Sequence, residues 1–239
     1  MPDYRLGVLG GMGPQATNTF YQFVIDRTDA RTDQEHVNTL ILSDCQMPDR
    51  TGAILGSEEQ RRAVYQRLVD DARLLELAGC TVLAVPCNTS HYFLDRVQEQ
   101  VSIPILHMIR ETAKALVAQG RTRPGILATD GTIRTGLYQK EFAALGIEPV
   151  TPSPQAQKQV MSLIYDDVKA GKDGDPEKFS LVHQDLIRQG CDCGVLACTE
   201  LSVFAAQHHL SRFYIDAMAV LAERAVLACH KPLRAIFMQ

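Results

Sequence analysis

Residues 82–90 read Val-Leu-Ala-Val-Pro-Cys-Asn-Thr-Ser, and residues 194–202 read Gly-Val-Leu-Ala-Cys-Thr-Glu-Leu-Ser. Each stretch is a short continuous apolar run that closes on a cysteine and then turns polar. Runs that are continuous rather than alternating mark strands buried on both faces, as in parallel sheets covered by helices. The stretches also match one another. Cys87 and Cys198 stand 111 positions apart, and Ile105-Leu-His-Met-Ile109 parallels Tyr214-Ile-Asp-Ala-Met218 at an offset of 109. Two offsets this close suggest a duplicated α/β unit.

The rest of the chain fits around this pair. Strands are expected at 6–10, 38–43, 81–85, 103–108, 125–128, 148–150, 193–197 and 213–216. Helices are expected at about 15–29, 57–78, 108–118, 135–145, 155–170, 176–189 and 217–229. Pro14 suits the first position of its helix, and Ser57 followed by Gln60 forms a capping box, with Gly79 as the stop. Eight strands alternating with helices predict an α/β protein with parallel sheets.

Composition narrows the function. The 239 residues amount to ~1.6 domains at about 150 residues each. Lys plus Arg is 24 and Asp plus Glu is 28, a net charge of −4, so no basic nucleic-acid surface is expected. No apolar run approaches the roughly 20 residues that cross a bilayer. Met1-Pro2-Asp3-Tyr4-Arg5 lacks a signal-peptide pattern, and seven cysteines is an odd number. Together these read as a cytoplasmic protein with free thiols, and Cys45, Cys80 and Cys229 read as structural.

In parallel α/β sheets, ligands bind beyond the carboxyl ends of the strands. Cys87 and Cys198 both fall there. The backbone N–H groups that follow, at helix starts, favour a thiolate and would hold a carboxylate. Two opposed acid/base groups suit racemisation, in which one thiolate removes an α-proton and the other thiol returns one to the opposite face. Preorganised donors must stabilise the carbanion.

Gly10-Gly-Met-Gly-Pro14, Pro48-Asp-Arg-Thr51, Cys87-Asn-Thr-Ser-His91 and Cys198-Thr-Glu-Leu201 together resemble the aspartate/glutamate racemase family over nearly the whole chain. The resemblance implies duplicated flavodoxin-like units, with the active site between two pseudo-symmetric domains at 1–103 plus 212–239 and at 104–211. It implies a homodimer, aspartate or glutamate as substrate, no pyridoxal phosphate or other cofactor, and no metal. By motif, Cys87 and Cys198 become the catalytic pair. Asn88, Thr89 and Thr199 become donors to the substrate carboxylate or enediolate, Arg50 and Lys169 its cationic anchors, and Met12 and Thr132 cleft residues. Glu200 is counted among the substrate-binding residues; it could bond within its loop or hold Cys198 in place, roles favoured over direct proton transfer. Ala197 departs from the family, which usually has glycine before the second cysteine.

Other readings compete. Gly11-Met-Gly-Pro-Gln-Ala16 fits the dinucleotide pattern G-x-G-x-x-A, with Asp44 as the acidic partner, but this leaves both cysteine motifs unexplained. Cys191-Asp-Cys193 with His208 and His209 does not match zinc-finger spacing. Lys169 could pair with Asp166 or Asp167 at the surface, Asp49 could orient Arg50 or cap a turn, and His91 could be a satisfied helix-start residue. Hydantoin racemase, maleate isomerase and arylmalonate decarboxylase chemistry, or a catalytically silent amino-acid-binding protein, are the functional alternatives. A thiol redox protein would need a C-x-x-C pair, which the sequence lacks.

Overall fold

The structure, a computed structural model, describes residues 4–235. The chain divides into two compact units. One runs to Met108 and resumes at Ala219, and the other is Ile109–Met218.

The first unit opens with β1 (Arg5–Gly10), α1 (Pro14–Arg27), β2 (Asn38–Ser43), α2 (Arg50–Leu55), α3 (Glu58–Leu77), β3 (Val82–Ala84), α4 (His91–Gln98) and β4 (Ile105–Leu106). Its strands are all parallel, in the order β2-β1-β3-β4. Leu6, Val8, Leu9, Leu83 and Ala84 are wholly buried. From α3, Val64, Leu68, Ala72 and Leu75 turn one face onto the sheet at helical spacing. Burying a side chain of that size contributes about 1.5–3 kcal/mol. The expected capping box holds: Gln60 N–H donates to Ser57 Oγ at 3.2 Å, and Ser57 N–H donates to Gln60 Oε1 at 2.8 Å.

The second unit contains α5 (Met108–Ala118), β5 (Pro124–Leu127), α6 (Asp130–Thr135), α7 (Leu137–Ala143), α8 (Pro154–Ser162), α9 (Pro176–Arg188), β6 (Cys193–Leu196), α10 (Thr199–His208) and β7 (Tyr214–Asp216). Its strands are parallel in the order β5-β6-β7. The chain returns to the first unit through α11 (Ala217–Ala228), where Arg27 on α1 pairs with Glu223 at 3.3 Å.

Several boundaries differ from expectation for identifiable reasons. Residues 104–108 lie in the first unit because β4 pairs with β3. Residues 212–218 lie in the second because β7 pairs with β6, so the return to the first unit begins at Ala219. The strand expected at 148–150 forms a single parallel bridge, Gly125↔Val150, on the open edge of β5. Proline lacks an N–H, and Pro149 is tolerated at such an edge. That segment completes the analogy, since both sheets then order their strands second, first, third, fourth. The helix expected at 135–145 is broken at Gly136, whose φ is +65°. The helix expected at 155–170 ends at Ser162 and continues as a wide π turn, Leu163–Asp167, then a tight 3₁₀ turn, Val168–Ala170. Among the described residues no helix is long and apolar enough to cross a membrane.

One buried group works against stability. Asp71, on the packed face of α3, is 8% exposed, and burial and the nearby Asp44 charge push its carboxyl up from 3.8 to about 6. The unfolded chain releases this proton near 3.8, whereas the folded chain holds it to about 6. Stability is therefore lost as pH rises through that window, and the ionised group remains a burden above it. We expect Asp71→Asn to stabilise the protein by roughly 1–3 kcal/mol at pH 8 and much less at pH 4. Urea unfolding at the two pH values checks this, and equal shifts at both would contradict it.

Candidate active site

Because each sheet is parallel, the polar segments that close its strands gather along one edge. In the first unit these are Gly11-Met12 after β1, Asp44 to Arg50 after β2, Cys87 to Ser90 after β3, and His107 after β4. Gly11 has φ +86°, and a Cβ there would lie 2.3 Å from the Asp44 carbonyl carbon, so only glycine fits this turn.

Cys87 is 5% exposed. The buried His91 fixes its backbone. Met108 N–H donates to His91 Nε2 at 2.9 Å, so the ring proton sits on Nδ1 and is donated to the Cys87 carbonyl, also at 2.9 Å. His91 is thus a clamp between the cysteine turn and Met108, both in the first unit, the satisfied role considered above. Asn88, buried, and Thr89 continue the turn, accepting the N–H groups of His91 and Tyr92 on their carbonyls at 3.1 and 3.3 Å. Ser90 donates to Met12 Sδ at 3.2 Å, tying the glycine turn to the cysteine turn.

Arg50 is the first residue of α2. Asp49 caps that helix, accepting from Thr51 N–H and Gly52 N–H, so of its two expected roles the cap is the one observed. Arg50 donates to the carbonyls of Pro48 at 3.1 Å and Met12 at 3.4 Å, and its Nε is buried without a partner. Among the described residues no carboxylate pairs with it. The dinucleotide reading fails at Asp44, whose carboxylate is gripped in bidentate fashion by Arg67 at 2.5 and 2.9 Å.

The second unit presents Thr129 to Thr132 after β5, Cys198 to Glu200 after β6, and Asp216 at the end of β7. Cys198, 7% exposed, donates its Sγ–H to Glu200 Oε2 at 2.8 Å. Glu200 also accepts from Thr199 Oγ1 at 3.3 Å and pairs with Lys169 Nζ at 3.6 Å. The π and 3₁₀ turns deliver Lys169 there, over the Tyr165 ring at 4.5 Å. The surface alternatives are otherwise engaged, with Asp167 pairing Lys178 at 2.8 Å and Asp166 accepting from Ser162. Thr132 is buried in the first turn of α6, whose cap is Thr129.

The helix-start environment expected to favour a thiolate is opposed at Cys198. Burial, then the Glu200 charge, pushes this thiol far above its ordinary range, and Lys169 offsets only part of that. The Cys198 Sγ–H points at the Glu200 carboxylate. Tyr138, fully buried, is likewise pushed up, by burial and then by the charge of Asp216. Asp216 accepts from Ser202 Oγ at 2.6 Å. Tyr138, Ser202 and Asp216 were not singled out in the sequence, although Asp216 stands in the register position of His107. Burial raises Cys80, Cys191, Cys193 and Cys229, leaving them inert. Cys45, expected to be structural, is exposed in the loop after β2. Ala197 is 1% exposed.

Comparison with known proteins agrees with this layout. The family model described as Asp/Glu/hydantoin racemase matches residues 9–225. The broad specificity amino-acid racemase RacX of Bacillus subtilis (strain 168) is 29% identical over 225 residues, covering 92% of this chain and 96% of that protein. The Picrophilus torridus aspartate racemase structure superposes with a TM-score of 0.80 at 28% identity, over 97% of this chain and 96% of that one. An aspartate racemase homologue from Pyrococcus horikoshii OT3 shares the fold, with a TM-score of 0.78 at 22% identity over 95% and 99% of the chains. A match spanning residues 9–225, with a cysteine closing the corresponding strand of each sheet, places the chain in the Asp/Glu/hydantoin racemase family.

Proposed function

We propose that this protein racemises aspartate or glutamate without a cofactor, Cys87 and Cys198 acting as the acid–base pair on opposite faces of the α-carbon. The observation that carries the reading is the equivalence of the two thiols. Each follows the third strand of its sheet, at the ligand-binding edge of a parallel α/β unit.

In one direction the Cys87 thiolate takes the α-proton. The electron pair delocalises into the carboxylate as an enediolate, held by donors from Asn88, Thr89 and Thr199. Cys198 Sγ–H then protonates the opposite face. In the other direction Cys198 must first lose its proton, and Glu200 is placed to accept it at 2.8 Å. Arg50, without a carboxylate partner among the described residues, anchors a substrate carboxylate through its bidentate fork. Lys169 serves the second carboxylate if that group displaces Glu200, from which Lys169 is already 3.6 Å away. Met12 and Thr132 shape the cleft. A homodimer and a cytoplasmic location belong to the same reading.

The Lys169–Glu200 pair also favours a second reading. With Lys169 paired to Glu200, Arg50 is the proposed anchor without a carboxylate partner among the described residues, which suits an amino acid with a single carboxylate, in keeping with the likeness to a broad specificity racemase. Proton NMR in D2O with a panel of L-amino acids separates the two. Loss of the α-proton signal with the D-isomer appearing fastest for aspartate or glutamate supports the first reading, and faster turnover of neutral side chains supports the second. No exchange with any amino acid would remove racemisation of free amino acids.

A further inference from the structure

We propose that Asp44, Arg67 and Asp71 form a positioning network that sets how Arg50 is presented to a substrate carboxylate. The inference rests on the reading of Arg50 as carboxylate anchor.

The network lies directly behind the two segments that hold Arg50. Asp44 starts the loop that ends at Arg50, and its side chain is 8% exposed. Its Oδ1 closes the first turn of that loop by accepting from Gln46 N–H at 3.0 Å. Its backbone presses on Gly11, the residue before Met12, whose carbonyl receives Arg50 Nη2. A shift of Asp44 therefore moves both the loop carrying Arg50 and the turn that Arg50 bonds. Arg67 holds the Asp44 carboxylate with two hydrogen bonds. Asp71, one helical turn beyond Arg67, lies close enough to Asp44 for the two carboxyl groups to share a proton, and its Oδ2 is buried with no donor among the described residues.

A buried carboxylic acid bonded to a carboxylate is an adjustable support. The charged groups around Asp71 are Asp44 on the loop after β2, and Arg67 and Asp70 on α3. When Asp71 is protonated it donates to Asp44, and Arg67 is left wholly to Asp44. When it ionises, near pH 6, two carboxylates compete for one guanidinium and Asp44 loses a donor. The hold on Gln46 N–H, and through it on the Arg50 loop, then loosens. These are positioning residues, acting through Arg50 and not on substrate.

The test reads Arg50 itself. Its buried Nε–H should give a protected proton–nitrogen NMR signal, assigned by its loss in Arg50→Lys. In the wild type that signal should shift between pH 5 and 7.5 with a midpoint near 6, and in Asp71→Asn it should stay flat. The KM for the substrate found in D2O should rise several-fold through the same midpoint while kcat changes little. Asp71→Asn should keep the low value throughout, and Asp44→Asn should raise KM about tenfold at every pH. A flat wild-type titration of the Arg50 signal, or an unchanged midpoint in Asp71→Asn, would overturn the network. A titrating signal without turnover of any amino acid would instead sink the racemase reading while leaving the network standing.

Discussion

Replacing either Cys87 or Cys198 by alanine is expected to lower racemisation in both directions by on the order of 10³-fold or more, the upper range for losing a positioned acid or base. The loss must be equal in both directions. Enantiomers have an equilibrium constant of one in water, so the two kcat/KM values cannot diverge. What diverges is the half-reaction. Each single variant keeps one working base, so it should still exchange the α-proton of one enantiomer with solvent, and the two variants should retain opposite enantiomers. Both sites are buried, but sulfur to hydrogen is a small change in volume, so both variants should fold, as circular dichroism would show. Chiral chromatography paired with deuterium exchange checks the prediction. Substantial racemisation by both variants would show that neither thiol is required.

Glu200→Gln is expected to have the next largest effect, a fall of about 10²-fold in kcat/KM. The Cys198 thiol is held protonated by burial and by the Glu200 charge, and Glu200 is the acceptor within reach of its proton. The amide keeps the shape and removes the base. Deprotonation of the enantiomer served by Cys198 should nearly stop, while exchange of the other persists. Because the repelling charge is gone, the thiol should also titrate lower, moving the alkaline limb of the pH–rate profile to lower pH. Thiol-specific alkylation of Cys198 against pH measures that shift independently. A profile and exchange pattern matching the wild type would mean that Glu200 only fills space.

Position along a strand is what the sequence alone makes legible here. The runs at 82–85 and 194–197 are apolar on both faces because helices cover both faces, and the cysteines follow at the edge where parallel strands end. The duplication was visible for the same reason, since His107 and Asp216 close equivalent strands. Roles that depend on long side chains meeting in space were not legible. Lys169 sits beside Asp166 and Asp167 in sequence, yet the π turn rotates it onto Glu200. Asp71 follows Asp70 in a polar helix and looks solvated, but it points onto Asp44 from the packed face. At Cys198 the helix start visible in the sequence favours the anion. Burial beside a carboxylate outweighs that dipole, which at an exposed end is worth only about 0.3–1 kcal/mol.

In the proposed two-base reaction, two different thiols handle the two faces of one carbon. This is tested most directly by following the wild-type reaction of a pure L-substrate in D2O and separating the enantiomers at early times. With two bases, the D-product should carry deuterium at the α-carbon from the first turnover, while the remaining L-substrate still carries protium. Deuterium entering the L-substrate as fast as the D-product forms would mean that a single base serves both faces, and would contradict it.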